Sequence, residues 1–310
     1  MNIYLCLAVL LVSGLSSQGV PHEEWRPPAV QTYDPAHQKP VSVSAPGIEI
    51  RWEPGDMDHA ASKPGKLVLK KAGNVITLQM PDEIGQVNRI VPLKGNRAIV
   101  QGMVNGSVSE IVVLDWANAQ IVDTFMCYLP EISPDGERIA FLKFYPPRGH
   151  DYEPRDFVMI YDTIRSASEN RPSGVQEKDR INVGRTVFPK DHQNRQGDNV
   201  GKSVEPGYRS SSKLFWSAES SDLVFAVHSG PKLSLVWFKV KNNSVKTLSV
   251  DTSDIWNVQA SPSDTRPGVQ ECPVFVTDIV IDSSAQQVSI VSGVVGGKSE
   301  TESYSYAQFK

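Results

Sequence analysis

Chemistry in this chain would have to come from a few polar clusters, the first being His150, Asp151 and Glu153, flanked by Tyr145, Arg148, Tyr152 and Arg155. Imidazole and carboxylate groups bordered by guanidinium and phenol suit hydrogen-bonded recognition of a polar ligand, and surface loops are where such groups bind. Arg148, His150, Asp151, Tyr152 and Glu153 are therefore candidate ligand-binding residues. A second cluster runs from Arg185 to Arg209 and holds Lys190, Asp191, His192, Arg195, Asp198, Lys202, Glu205 and Tyr208. Its mixed charges suit a segment folding over a partner or over the protein's own face, and His192 joins the candidates. Asp56, Asp58 and His59 form a third group, but they lack EF-hand spacing and a nearby third donor, so a solvated loop accounts for them.

Motifs that specify catalysis are missing from the sequence. There is no Gly-x-Ser-x-Gly elbow, Walker loop, GxGxxG or HExxH, so the chain implies neither a cofactor nor a metal centre. Asn105-Gly106-Ser107 and Asn242-Asn243-Ser244 match the glycosylation sequon. Both sit at expected hairpin turns, where Asn is wanted for positive φ, and the turn reading accounts for them. Cys127 and Cys272 lack CxxC or Cys/His spacing. An exported chain can oxidise such a pair to a disulfide, and two buried thiols fit equally well.

Composition narrows the partners. Of 310 residues, 31 are basic and 35 acidic, a net charge of −4 without long charged blocks. That leaves no electrostatic footprint for nucleic acid or an anionic membrane. With 40% apolar residues the chain has ample material for a core. Ile3 to Val12 is almost wholly apolar, and small residues follow from Ser13 to Gly19. Residues 1–19 read as a cleaved secretory signal, although no Lys or Arg precedes the apolar run, which is too short to span a bilayer. A periplasmic or extracellular protein with no membrane span after signal removal is expected.

The elements that must carry these residues are strands. Residues 20–46 form a Pro-rich segment, and 47–310 form the folded domain, interrupted at about 163–212 by a polar insertion rich in Ser, Asn, Gln, Gly and Pro. Gly73-Asn74, Gly95-Asn96, Asn105-Gly106, Ala117 to Ala119 and Asn242-Asn243 separate short runs of β-branched and aromatic residues. The clearest unit places Ser133-Pro134-Asp135-Gly136 between Ile132 and the run Arg138 to Tyr145, which is apolar enough to be buried on both faces. Phe215-Trp216-Ser217 and Asp222 to Ala226 repeat it in degraded form, and Leu93 to Val100 is a third copy without Ser-Pro. A last unit runs through Val274 to Asp282, Gln287 to Val295 and Glu302 to Phe309.

Four strands per roughly 40 to 45 residues is the sequence sign of a propeller. Residues 133–141 resemble the WD40-like repeat of TolB-type bacterial β-propellers, in which Ser-Pro-Asp-Gly joins the first two strands of a blade. The resemblance implies an all-β, β-propeller-like fold with irregular blades and one long insertion. It is nearly silent on function. A two-sheet sandwich fits the same local signals. The expected role is non-catalytic binding of a protein or peptide through rim loops. The alternative is a secreted hydrolase or lyase acting on saccharide or peptide with carboxylates near the central channel.

Overall fold

The computed structural model describes residues 40–45, 47–55, 65–80, 84, 86–104, 108–143, 157–176, 179–189, 209–210, 212–229, 232–251, 274–294 and 299–310. The β-branched and aromatic runs become strands, arranged as five successive antiparallel meanders. The first is β1 (Val41–Ala45), β2 (Ile48–Glu53), β3 (Lys66–Lys71) and β4 (Asn74–Gln79), paired in that order. The second and third share one seven-stranded sheet. It comprises β5 (Gln86–Pro92), β6 (Arg97–Met103), β7 (Ser109–Asp115), β8 (Gln120–Ile132), β9 (Arg138–Lys143), β10 (Val158–Asp162) and β11 (Arg185–Phe188), again in chain order.

The thirteen-residue β8 serves both units. Up to Cys127 it pairs with β7, and from Cys127 onward with β9. The register shifts between Tyr128 and Glu131, where Leu129 takes φ 46°, so β8 ends one unit and begins the next. In the fourth unit β12 (Arg209–Ser210) and β13 (Phe215–Trp216) share one edge of β14 (Asp222–Ser229), followed by β15 (Lys232–Lys239) and β16 (Ser244–Val250). The fifth has β17 (Val274–Asp282), β18 (Gln287–Val294) and β19 (Ser299–Ser305).

Four apolar cores lie between consecutive units. Ile50, Trp52 and Leu69 of the first meet Val87, Val100 and Leu114 of the second. Ile99, Ile111 and Phe125 of the second meet Ile139, Phe141 and Tyr161 of the third. Ala140, Leu142 and Ile160 of the third meet Leu223, Phe225 and Phe238 of the fourth, whose Val224, Leu235 and Trp237 meet Ile279, Val288 and Ile290 of the fifth. The period-2 alternation of strands thus sends odd and even positions of β9 into different cores, which is why its run is apolar throughout. Ile139, Phe141 and Leu142 each contribute about 1.5–3 kcal/mol on burial.

This arrangement is the all-β, propeller-like one, with irregular blades, and among the described residues no sheet closes on itself. It is not the two-sheet sandwich, because each middle sheet is covered on both faces by its chain neighbours. The stretch 163–212 is not wholly loop. Arg185–Phe188 forms the outer strand of the third unit and Arg209–Ser210 part of the first strand of the fourth. The last strand ends at Ser305 rather than Phe309, since Ser305 and Gln308 cap a 3-10 turn over Tyr306–Gln308.

The turns carry the repeat at hydrogen-bond resolution. Ser133 Oγ accepts the Arg138 N–H at 3.0 Å, and Ser217 Oγ accepts the Asp222 N–H at 3.1 Å. In four units the residue after the third strand donates its N–H to the first turn: Trp116 to Asn96, Thr163 to Glu137, Val240 to Ser221 and Tyr306 to Gln286. Asn96, Gly136, Ser220 and Gln286 supply the positive φ of these turns. At the hairpin between β3 and β4 the left-handed pair is Ala72 and Gly73, one residue ahead of the expected Gly73-Asn74.

Candidate functional site

First strands of neighbouring units converge, with β1 beside β5 and β13 beside β17. Two side chains tie them together. Arg89 Nη2 on β5 donates to the Pro130 carbonyl of β8 at 3.2 Å, and Trp216 Nε1 on β13 donates to the Glu131 carbonyl at 3.1 Å. Glu131 therefore lies on the middle of three adjoining first strands. Its half-buried side chain is faced by Arg89 from the unit before and Lys213 from the unit after. Burial pushes its carboxyl above the ordinary range, against the pull of Arg89 and Lys213.

Arg89 is held in place by a short chain of bonds. Its Nε donates to Gln101 Oε1 at 2.6 Å, and Gln101 Nε2 donates to Ser109 Oγ at 3.4 Å. Further out along the same sheet Glu110, fully buried, forms an ion pair with Arg180. Arg180 lies in the segment after β10, and its carbonyl accepts the Met126 N–H at 2.8 Å. Burial lowers the pKa of Lys143, opposed by the charge of Asp179. Asp179 itself stays below the usual carboxylate range although burial opposes it, because it accepts bonds from the Asn182 side chain and the N–H groups of Asn182 and Ile181.

That segment is pinned by a buried clasp. Arg171 Nη2 and Nη1 donate to the two carboxylate oxygens of Asp123 at 2.6 and 2.8 Å, and the Tyr161 hydroxyl donates to Asp123 Oδ2 at 3.1 Å. A bidentate, desolvated pair of this kind fixes geometry, and losing one partner leaves the other charge buried.

The expected binding residues Arg148, His150, Asp151, Tyr152, Glu153 and His192 lie outside the described residues, as do Asp56, Asp58, His59 and Cys272. Their described flanks are informative. Lys143 and Phe157, joined by a 2.9 Å backbone bond, and Phe188 with Arg209 stand at the strand ends that also carry Ser109 and Glu110. Arg185 of the second cluster is structural: Nη1 bonds Asn243 Oδ1, and the guanidinium lies 5.4 Å from the Phe238 ring. Cys127 is a free, fully buried thiol whose pKa burial pushes up. Among the described residues no group of three His, Cys, Asp or Glu is placed to hold a metal, and no helix is long and apolar enough to cross a membrane.

Arg89, Glu131 and Lys213 were not singled out by sequence reasoning. The one available signal was a charged residue within each apolar first strand or at its threshold, far apart in sequence.

What the strands and this site define is a propeller-type, all-β protein with a charged cluster where first strands converge. No family model matches the chain, and no curated protein matches it. Among solved structures, oligopeptidase B from Leishmania major aligns at 9% identity and TM-score 0.41, over 87% of this chain and 33% of that one. The putative TolB from Agrobacterium tumefaciens aligns at 12% identity and TM-score 0.35, over 85% and 80%. The β-propeller domain of the Trilobed protease from Pyrococcus furiosus aligns at 8% identity and TM-score 0.29, over 85% and 80%. This chain thus spans about a third of oligopeptidase B. These superpositions are loose, and the architecture rests on the strand pairing described above.

Proposed function

We propose that this chain is an exported, non-catalytic binding protein that takes an extended protein or peptide segment across its converging first strands. The observation that carries this reading is Glu131 set between Arg89 and Lys213, three charges supplied by three successive units. A peptide offers both an acceptor and a donor at every residue. Arg89 and Lys213 would hold its carboxylates or carbonyls, and Glu131 its amines or amides. The segments 144–156 and 190–208, with Arg148, His150, Asp151, Tyr152, Glu153 and His192, attach to strand ends of the same sheets and would widen that contact. A cleaved leader at residues 1–19 would put the protein outside the cytoplasm, in a periplasm or the extracellular space.

A peptide library displayed on phage and selected on immobilised wild-type protein tests this. Enriched peptides should bind Lys213→Glu and Arg89→Ala variants at least about tenfold more weakly, the effect of roughly 1.4 kcal/mol. Lys213 is exposed, so its charge reversal leaves the fold intact. Failure to enrich any peptide, or binders indifferent to both changes, would overturn the assignment.

A further inference from the structure

The hairpin between β15 and β16 turns through Val240, Lys241, Asn242 and Asn243. Of its two asparagines, Asn243 takes the positive φ, 51°, so the turn needs Asn or Gly at 243 and not at 242. Asn243 Oδ1 is also drawn aside by Arg185 of the preceding unit. Asn242 is exposed and does something different. Its Oδ1 accepts the Ser244 hydroxyl at 2.6 Å and the Ser244 N–H at 3.3 Å. The Ser244 hydroxyl is thus folded onto the amide oxygen of an exposed side chain. An exposed Asn-x-Ser with a middle residue other than Pro is the acceptor sequence for N-linked sugar in exported chains.

We infer that Asn242 is an N-glycosylation site, receiving an oligosaccharide from a lipid-diphosphate donor in a secretory compartment. The step forms a bond from Asn242 Nδ2 to the anomeric carbon of the sugar. The bond from that carbon to the diphosphate oxygen breaks, the diphosphate leaves with the electron pair, and the amide gives up one proton. No oxidant or reductant is needed. The inference rests on the export reading above. Its location fits that reading, because the tip of the β15–β16 hairpin lies at the turn end of the units. Ser109, Glu110, Lys143 and the attachment points of the two long segments occupy the opposite end. Sugar at Asn242 leaves that opposite end uncovered.

The test expresses the full chain with its own leader in cultured animal cells and reads the peptide containing residue 242 by mass, before and after treatment with the amidase that releases N-linked sugar. The expected result is a glycosylated peptide in the medium that the amidase converts to one with Asp at 242. Asn242→Gln and Ser244→Ala should lose the modification, and Ser244→Thr should keep it. Secreted protein with an unmodified Asn242, or a modification that survives Ser244→Ala, overturns the inference alone. Protein confined to the cytosol overturns the export reading as well, so the two failures are told apart. The wild-type peptide reports directly and does not depend on any variant folding.

Discussion

Burial holds the Glu131 carboxyl above its ordinary value, whereas Asp115 and Asp135, though burial opposes it, are held below theirs by hydrogen bonds from Asn118 and Ser133 respectively and from nearby N–H groups. A carboxyl raised in the folded state is fully accommodated when neutral. The native state's advantage therefore holds below about pH 4.5 and is lost as pH rises through the folded value. Glu131→Gln, which mimics the neutral form, should therefore raise the urea midpoint at about pH 7 and match wild type at about pH 3. A Gln variant that is less stable at neutral pH would mean that Arg89 and Lys213 outweigh burial. None of the three residues was legible as a site, because their partnership comes from strand register across three units and no spacing encodes it. The cluster from Arg148 to Glu153 was legible through sequence proximity, but that says nothing of what faces it in space.

Turn chemistry decided which elements the sequence disclosed. Ser133-Pro134-Asp135-Gly136 was legible because each residue type has a local reason: Asp135 Oδ1 accepts the Glu137 N–H at 3.0 Å, and Gly136 takes φ 74°. The equivalent turn through Ser217 and Ser220 was legible only by alignment to it, and the one at Gln286 only as the gap between the runs ending at Asp282 and starting at Gln287, since Ser and Gln give no cue for positive φ. Strand β11 was hidden because four residues are too few to show a period; the runs Gln120–Cys127 and Glu131–Ile132 read as belonging to successive units, but their continuity in one strand did not show, because Leu129 does not advertise a left-handed residue. A Cβ at Gly136 would stand 3.1 Å from Leu93 Cδ2 in a left-handed conformation. Gly136→Ala should therefore cost about 1–2 kcal/mol in denaturant unfolding, while Gln286→Gly, at φ 53° and exposed, should stabilise by up to about 1 kcal/mol. Equal midpoints for Gly136→Ala and wild type would mean the turn does not require its left-handed residue.

At the scale of the whole molecule, stability follows from stacking in chain order. Each middle unit shares cores with its two neighbours, so opening at one end need not propagate, as in other arrays where contacts are mainly between adjacent units. Among the described residues the fifth unit shares one such core, and residues 306–310 reinforce it. After β19 the chain crosses back to the fourth unit, where Lys310 exchanges both backbone bonds with Thr247 at 2.9 and 3.0 Å. Phe309, 1% exposed, packs edge-on against Trp237 with ring centroids 5.5 Å apart, and Tyr306 lies 4.2 Å from the same ring. Removing the Phe309 ring should cost about 3–5 kcal/mol in that core, and the loss should be local. In Phe309→Ala, amide hydrogen exchange should quicken in β16 to β19 while β6 and β7, two or more interfaces away, keep their protection. Quickening spread evenly over every unit would mean that the molecule unfolds as a single cooperative body, because independent opening at one end requires each interface to carry its own share of the stability.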